Sequence, residues 1–215
     1  MAKFRLQFTK YGDMKYVSHL DLIRLFTRIF HRADLPLCYS EGFNPHPKMS
    51  VLLPLSVGFE SACEYIDVEF RDGVGMLDCM KKLKGQLPLG MEIPQITQLN
   101  ETSKKAKAIR YASYEFRFPA PITQEQVDEF MALSSVEVIK KTKRSEGLAD
   151  IRADIMDMYV TDDGVLRAVI SAGSEANLKA DLFVTALEKY IPDFCAGDYS
   201  VLRTGILDER GISMM

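Results

Sequence analysis

The sequence predicts an α+β fold built from two ferredoxin-like halves, each with an antiparallel sheet. Three observations lead to it. Apolar residues alternate with period two in some stretches and recur at helical spacing in others. Those stretches come in the order β-α-β-β-α-β and then repeat it, with shared elements but not shared residues. Between the two rounds lies Asn-Glu-Thr-Ser-Lys-Lys-Ala-Lys, residues 100–107, which is polar, basic and poor in apolar residues. The expected domains are therefore 1–99 and 108–215, joined by a basic linker at 100–107.

In the first half, Lys3–Thr9 alternates Phe4, Leu6 and Phe8 with Arg5, Gln7 and Thr9, the pattern of a half-buried strand. Tyr11-Gly12-Asp13 ends it in a turn. Ser18-His-Leu-Asp21 supplies a helix N-cap with an acid three residues on, and the helix is predicted to run to about Ala33. Leu22, Leu25, Phe26, Ile29 and Phe30 form its core face, while Arg24, Arg28 and Arg32 make a basic stripe elsewhere. Met49–Val57 reads as extended, with Pro54 marking an edge or bulge, and Glu64–Phe70 as its partner. Val74–Leu87 carries Met76, Leu77, Met80 and Leu83 at helical spacing, and Met91–Gln98 closes the half as a strand.

The second half opens with a strand at Tyr111–Phe118 and a helix capped by Thr123 that runs through Leu133. A strand at Val136–Lys141 ends in the basic cluster Lys140–Arg144, and Ala149–Val160 is a further extended stretch. Asp162-Asp-Gly164 turns the chain into Leu166–Ser171. A helix at Asn177–Tyr190, stopped by Pro192, and a strand at Tyr199–Leu207 complete the reading.

A net charge of −3 over 215 residues argues against coating nucleic acid by bulk charge, so any RNA binding must use a local patch. No apolar run is long enough to span a bilayer, and a cytoplasmic protein with no membrane partner is expected. The four cysteines, Cys38, Cys63, Cys79 and Cys195, form no C-x-x-C pair and are expected to be buried reduced thiols.

The stretch that departs from ordinary scaffold is Tyr39–Val51, Tyr-Ser-Glu-Gly-Phe-Asn-Pro-His-Pro-Lys-Met-Ser-Val. Pro45 and Pro47 stiffen it and push Asn44 and His46 toward extended geometry. It carries an amide, an imidazole, an ammonium and the rings of Tyr39 and Phe43, an inventory suited to an anionic, ring-bearing partner such as a nucleotide or RNA strand. Lys48, supported by Arg24 and Arg28, is expected to contact phosphates, and Asn44 and His46 a base edge or ribose hydroxyl.

Nucleophile and phosphate-loop motifs are absent. No metal site is expected either. Of the three histidines, His19 and His31 are twelve residues apart on one helix, about 18 Å at about 1.5 Å per residue. His19, at the helix N-terminus, is a further candidate contact, and either it or His46 is a candidate acid–base group.

Phe4-Arg-Leu-Gln-Phe-Thr-Lys10, Ser18-His-Leu-Asp-Leu22, Tyr39-Ser-Glu-Gly-Phe-Asn-Pro-His-Pro-Lys48, Pro54-Leu-x-x-Gly58 and Glu64-Tyr-x-Asp67 together give residues 1 to about 70 a specific pattern. It resembles the radical-SAM-associated (radical-SAM-linked) bacterial proteins, a family of unknown function. Further on, Ala149-Asp-Ile-Arg152 is similar to that family's I-D-I-R element, whereas Leu202-Arg203 stands where it often has His-Arg. The resemblance implies a radical-SAM partner, usually of the cobalamin-binding type, and RNA-related work. The chain lacks the C-x-x-x-C-x-x-C that would hold the cluster, so it is not itself the radical enzyme, and no cofactor of its own is expected. The function expected is thus an accessory module that binds and presents an RNA or other anionic substrate. The alternatives are a metal-independent RNA endonuclease of tandem ferredoxin-like type, or a purely structural subunit.

Overall fold

The structure is a computed structural model that describes residues 1–71, 73–141 and 146–215. The expected basic cluster therefore lies, from Thr142 to Arg144, outside the described residues. The chain divides into two compact units, Met1–Ala106 and Lys107–Met214, and both mix helices with antiparallel strands. Among the described residues no helix is long and apolar enough to cross a membrane.

The first unit contains β1 (Ala2–Lys10), α1 (His19–Arg32), β2 (Met49–Val51), β3 (Glu60–Phe70), α2 (Met76–Leu83) and β4 (Gln95–Gln98). Within the unit the strands lie in the order β4-β1-β3-β2, each antiparallel to its neighbour. The period-two pattern of β1 sends Phe4, Leu6 and Phe8 to one face, where α1 covers them. Phe26 of α1 meets Phe8 edge-on at 4.9 Å, and Phe30 meets Phe70 of β3 at 5.3 Å. Such ring pairs add to the burial that holds helix to sheet. Ser18 starts α1 as its spacing predicts, its hydroxyl accepting the Asp21 N–H.

The second unit contains β5 (Ile109–Arg117), α3 (Gln124–Met131), β6 (Glu137–Lys141), β7 (Glu146–Asp150), β8 (Ile155–Val160), β9 (Leu166–Ser171), α4 (Ala180–Tyr190) and β10 (Ser200–Asp208). Its sheet runs β10-β5-β9-β8, all antiparallel, while β6 and β7 pair separately as a hairpin. With the hairpin set aside, the four sheet strands of each unit follow one order: fourth, first, third, second. Thr123 and Gln126 close a reciprocal capping box at the start of α3. Phe116 packs on Phe183 of α4 at 5.2 Å in the core.

Several elements differ from expectation for local reasons. The strand expected over Met49–Val57 stops at Val51, three residues before Pro54, which has no N–H to offer a ladder. The second helix spans Met76–Leu83 and buries Cys79 and Leu83, leaving Met76, Leu77 and Met80 exposed. The stretch Ala149–Val160 is two strand segments separated by a 3₁₀ turn at Arg152–Asp154. Cys195 is exposed, whereas the other three thiols are buried as expected. Burial raises the Cys79 thiol to about 12, which keeps it protonated.

That 3₁₀ turn ties the hairpin to its surroundings. The Asp150 carboxylate accepts the backbone N–H groups of Val136 and Arg152. The Arg152 guanidinium donates to the carbonyls of Met131, Leu133 and Ile155. Met131 and Leu133 lie at the C-terminal end of α3, where carbonyls have no helical partner of their own. Replacing Arg152 by Ala is expected to cost about 2–3 kcal/mol, since charge-assisted bonds to three carbonyls are lost. Asp150 is held below the usual carboxylate range, first by the Arg152 N–H, then by that of Val136 and the Ser135 hydroxyl. A lowered folded-state value stabilises at neutral pH, and that contribution is lost as the acid is protonated. The stability gap between wild type and Asp150→Asn should therefore be present at pH 7 and shrink as the pH falls below the ordinary value of 3.8, measured by urea unfolding across that range.

Candidate anion-binding site

The face of the first sheet turned away from α1 carries the polar half of each strand pattern. Two cross-strand rows result. Arg5 of β1 stands opposite Asp67 of β3, which stands opposite Ser50 of β2. In the next row Lys3 stands opposite Glu69, whose N–H donates to the carbonyl of Lys48. The Arg5 Nε and Nη2 donate to the two Asp67 oxygens at 2.7 and 2.9 Å, a bidentate fork. Lys3 reaches Glu69 at 2.7 Å, and that carboxylate raises the Lys3 ammonium above its usual value.

Arg5 is only 2% exposed, although its strand pattern predicts an outward, half-buried position. The segment after β4 covers it. Leu99 bonds the Lys3 carbonyl, and the Asn100 side chain accepts from Thr102 and Ser103 to form a turn. The same Arg5 Nη2 then donates to the Lys104 carbonyl at 2.8 Å. Residues 100–105, read from sequence as linker, thus form a strap pinned beside the open sheet face.

Between strap and sheet lies a cleft of about 400 Å³. Lys3, Arg5, Lys48, Lys104 and Lys105 face Asp67 and Glu69 there, an excess of three positive charges in a chain whose net charge is −3. Lys48 and Lys105 are exposed, and neither ammonium has a carboxylate within ion-pair reach among the described residues. Met49 and Leu99 add an apolar strip. An anion entering this cleft meets the uncommitted ammonium groups of Lys48 and Lys105, beside Lys3 and Arg5, which carboxylates hold in place.

Lys48 joins the cleft to the loop that the sequence singles out. The loop closes on itself: Ser40 donates its N–H to the His46 carbonyl, and its hydroxyl accepts the His46 N–H. Lys48 in turn bonds the Cys38 carbonyl. Gly42 takes φ +117°, a conformation side chains rarely adopt, and turns the chain at the tip. Phe43 is left fully exposed there, with Asn44 and His46 exposed beside it. Tyr39 anchors the base, its hydroxyl 2.9 Å from Nε2 of His31 in the last turn of α1.

Among the sequence candidates, only Lys48 lines the cleft. Arg24 and Arg28 are exposed on α1, which packs on the opposite sheet face. Arg24 is paired with Asp21 at 2.9 Å, and Arg32 donates to the Gln86 carbonyl, so the basic stripe is partly committed. His19 is exposed at the start of α1, the end away from His31 and the loop base. Among the described residues no cluster of metal-ligating side chains occurs.

The residues that sequence reading did not select are Lys3, Arg5, Asp67 and Glu69, because their meeting depends on strand register. Lys104 and Lys105 were legible as a basic cluster but not as part of this face. Three stretches quoted for the family resemblance converge here: Arg5 from the first, Lys48 from the loop and Asp67 from Glu64-Tyr-x-Asp67.

Fold and site define an α+β protein with a cationic cleft on the open sheet face of its N-terminal unit. A family model described as an uncharacterized protein conserved in bacteria (DUF2344) matches residues 3–180, and the chain belongs to that family. No curated protein matches it.

Breaking the fork should release the strap. Arg5→Lys keeps the charge but loses bidentate geometry, and is expected to cost roughly 2 kcal/mol, between exposed and buried ion-pair limits. Limited trypsin digestion should then cut faster after Lys104 and Lys105, with the rest of the first unit remaining resistant.

Proposed function

We propose that this protein is an accessory module of a radical-SAM system that holds an anionic, ring-bearing substrate, of the RNA or nucleotide class, and presents it to the partner enzyme. The observation that carries the reading is the cleft's excess of positive charge within a net-acidic chain. An overall negative field repels polyanions, so a local cationic cleft selects a ligand by position as well as by sign. Lys48 and Lys105 supply phosphate contacts. The loop tip offers Phe43 as a stacking platform, with Asn44 and His46 for a base edge or hydroxyl.

Presentation rather than catalysis fits the chemistry of the site. Paired cations and a closed loop position a ligand. The radical-SAM partnership is supported by the resemblance of residues 1 to about 70. We read both units as ferredoxin-like, the second enlarged by its hairpin, from their shared strand order.

A titration of single-stranded RNA at several salt concentrations tests the binding reading. Lys48→Ala should weaken binding about tenfold and flatten the slope of log K against log salt by about 0.7. His46→Ala should change preference among sequences and leave the slope alone. Unchanged curves for folded Lys48→Ala would remove the cleft from the account.

A further inference from the structure

The dimensions and charge of the cleft narrow the ligand further. Resting on the reading of this cleft as an anion site, we infer that it takes one phosphorylated nucleoside through a phosphate monoester. That unit is either a free mononucleotide or the phosphorylated end of an RNA, and not an internal stretch of chain.

About 400 Å³ lies at the lower end of the range for small-molecule sites, enough for a single nucleotide. The strap bounds it on one side, with Lys104 tied to Arg5, and β2 and the loop base bound it on another. Its cations gather in one small cleft, whereas an internal segment of RNA is held by cations spaced along a groove.

Lys3 and Arg5 are each neutralised by a carboxylate at 2.7 Å. Lys48 and Lys105 have no such partner among the described residues. A monoester carries about −1.5 to −2 charges at neutral pH and three strong acceptor oxygens, whereas an internal diester carries one charge. Two uncommitted ammonium groups in one small cleft match the monoester.

The rest of the lining suits a nucleoside. Met49 and Leu99 provide an apolar strip for a flat ring. Ser50 stands exposed in the row beside Asp67, and its hydroxyl is placed to meet a ribose. These contacts distinguish a phosphorylated nucleoside from inorganic phosphate, which would use the lysines alone.

Calorimetric titration of the full-length protein separates the possibilities. The probes are the four nucleoside 5′-monophosphates, the matching nucleosides, inorganic phosphate, and an RNA 12-mer bearing a phosphate at the 5′ end, the 3′ end or neither. At least one monophosphate should bind within about threefold of the better end-phosphorylated 12-mer. Removing the terminal phosphate should weaken the 12-mer by at least about thirtyfold, and the matching nucleoside and inorganic phosphate should each bind at least about tenfold more weakly than the monophosphate. Lys105→Ala should weaken the monophosphate about tenfold, whereas Lys140→Ala in the second unit should not. If the 12-mer without a terminal phosphate binds as tightly as the others, the monoester inference is overturned while the anion reading stands. Inorganic phosphate binding as tightly as any monophosphate overturns the nucleoside part. If no phosphorylated probe binds, both the inference and the reading it rests on are overturned.

Discussion

The Arg5–Asp67 fork is the contact around which the first unit's open face is arranged. One guanidinium joins β1 to β3 through two bonds and reaches the Lys104 carbonyl through a third. A planar, permanently charged group with donors in a fixed fork makes all three from two separate nitrogens, a geometry a single ammonium nitrogen does not offer. The arrangement needs Arg5 to be almost wholly covered, which demands partners for the charge. Asp67 supplies the countercharge and the strap supplies the cover. Lys105 is thereby placed across the cleft from the loop that carries Lys48.

The loop is held by a different kind of constraint. Its prolines restrict the backbone, and the reciprocal Ser40–His46 bonds close it without help from a ligand. The Tyr39–His31 contact attaches its base to α1. Its exposed ring and polar groups are ordered before any partner arrives, so binding costs less conformational entropy than ordering a free loop would. Phe43 stands fully exposed at the tip of this closed loop, where the proposed reading uses its ring as a stacking platform.

Much of the fold was legible because it depends on local chemistry. Ser18 and Thr123 start their helices, Phe4, Leu6 and Phe8 face the core, and Asp162-Asp-Gly164 turns the chain between β8 and β9. The exposed loop was legible from its glycine and prolines. What stayed hidden depends on pairing between distant segments. Arg5 and Asp67 each sit at polar positions of an alternating strand, and nothing in either stretch says that they oppose each other. The burial of Arg5 was equally hidden, because it comes from a strap about a hundred residues away. The β6–β7 hairpin was obscured because Asp150 and Arg152 interrupt what reads as one extended run.

On the proposed reading, the cleft over the Arg5–Asp67 fork receives the anion. Backbone amide shifts during titration of isotope-labelled protein with nucleoside monophosphates test it most directly. Saturable shifts should concentrate at Lys3–Arg5, Lys48–Ser50 and Leu99–Lys105, and be lost in Lys48→Ala/Lys105→Ala. Saturable shifts confined to the second unit, with those cleft amides unmoved, would contradict it.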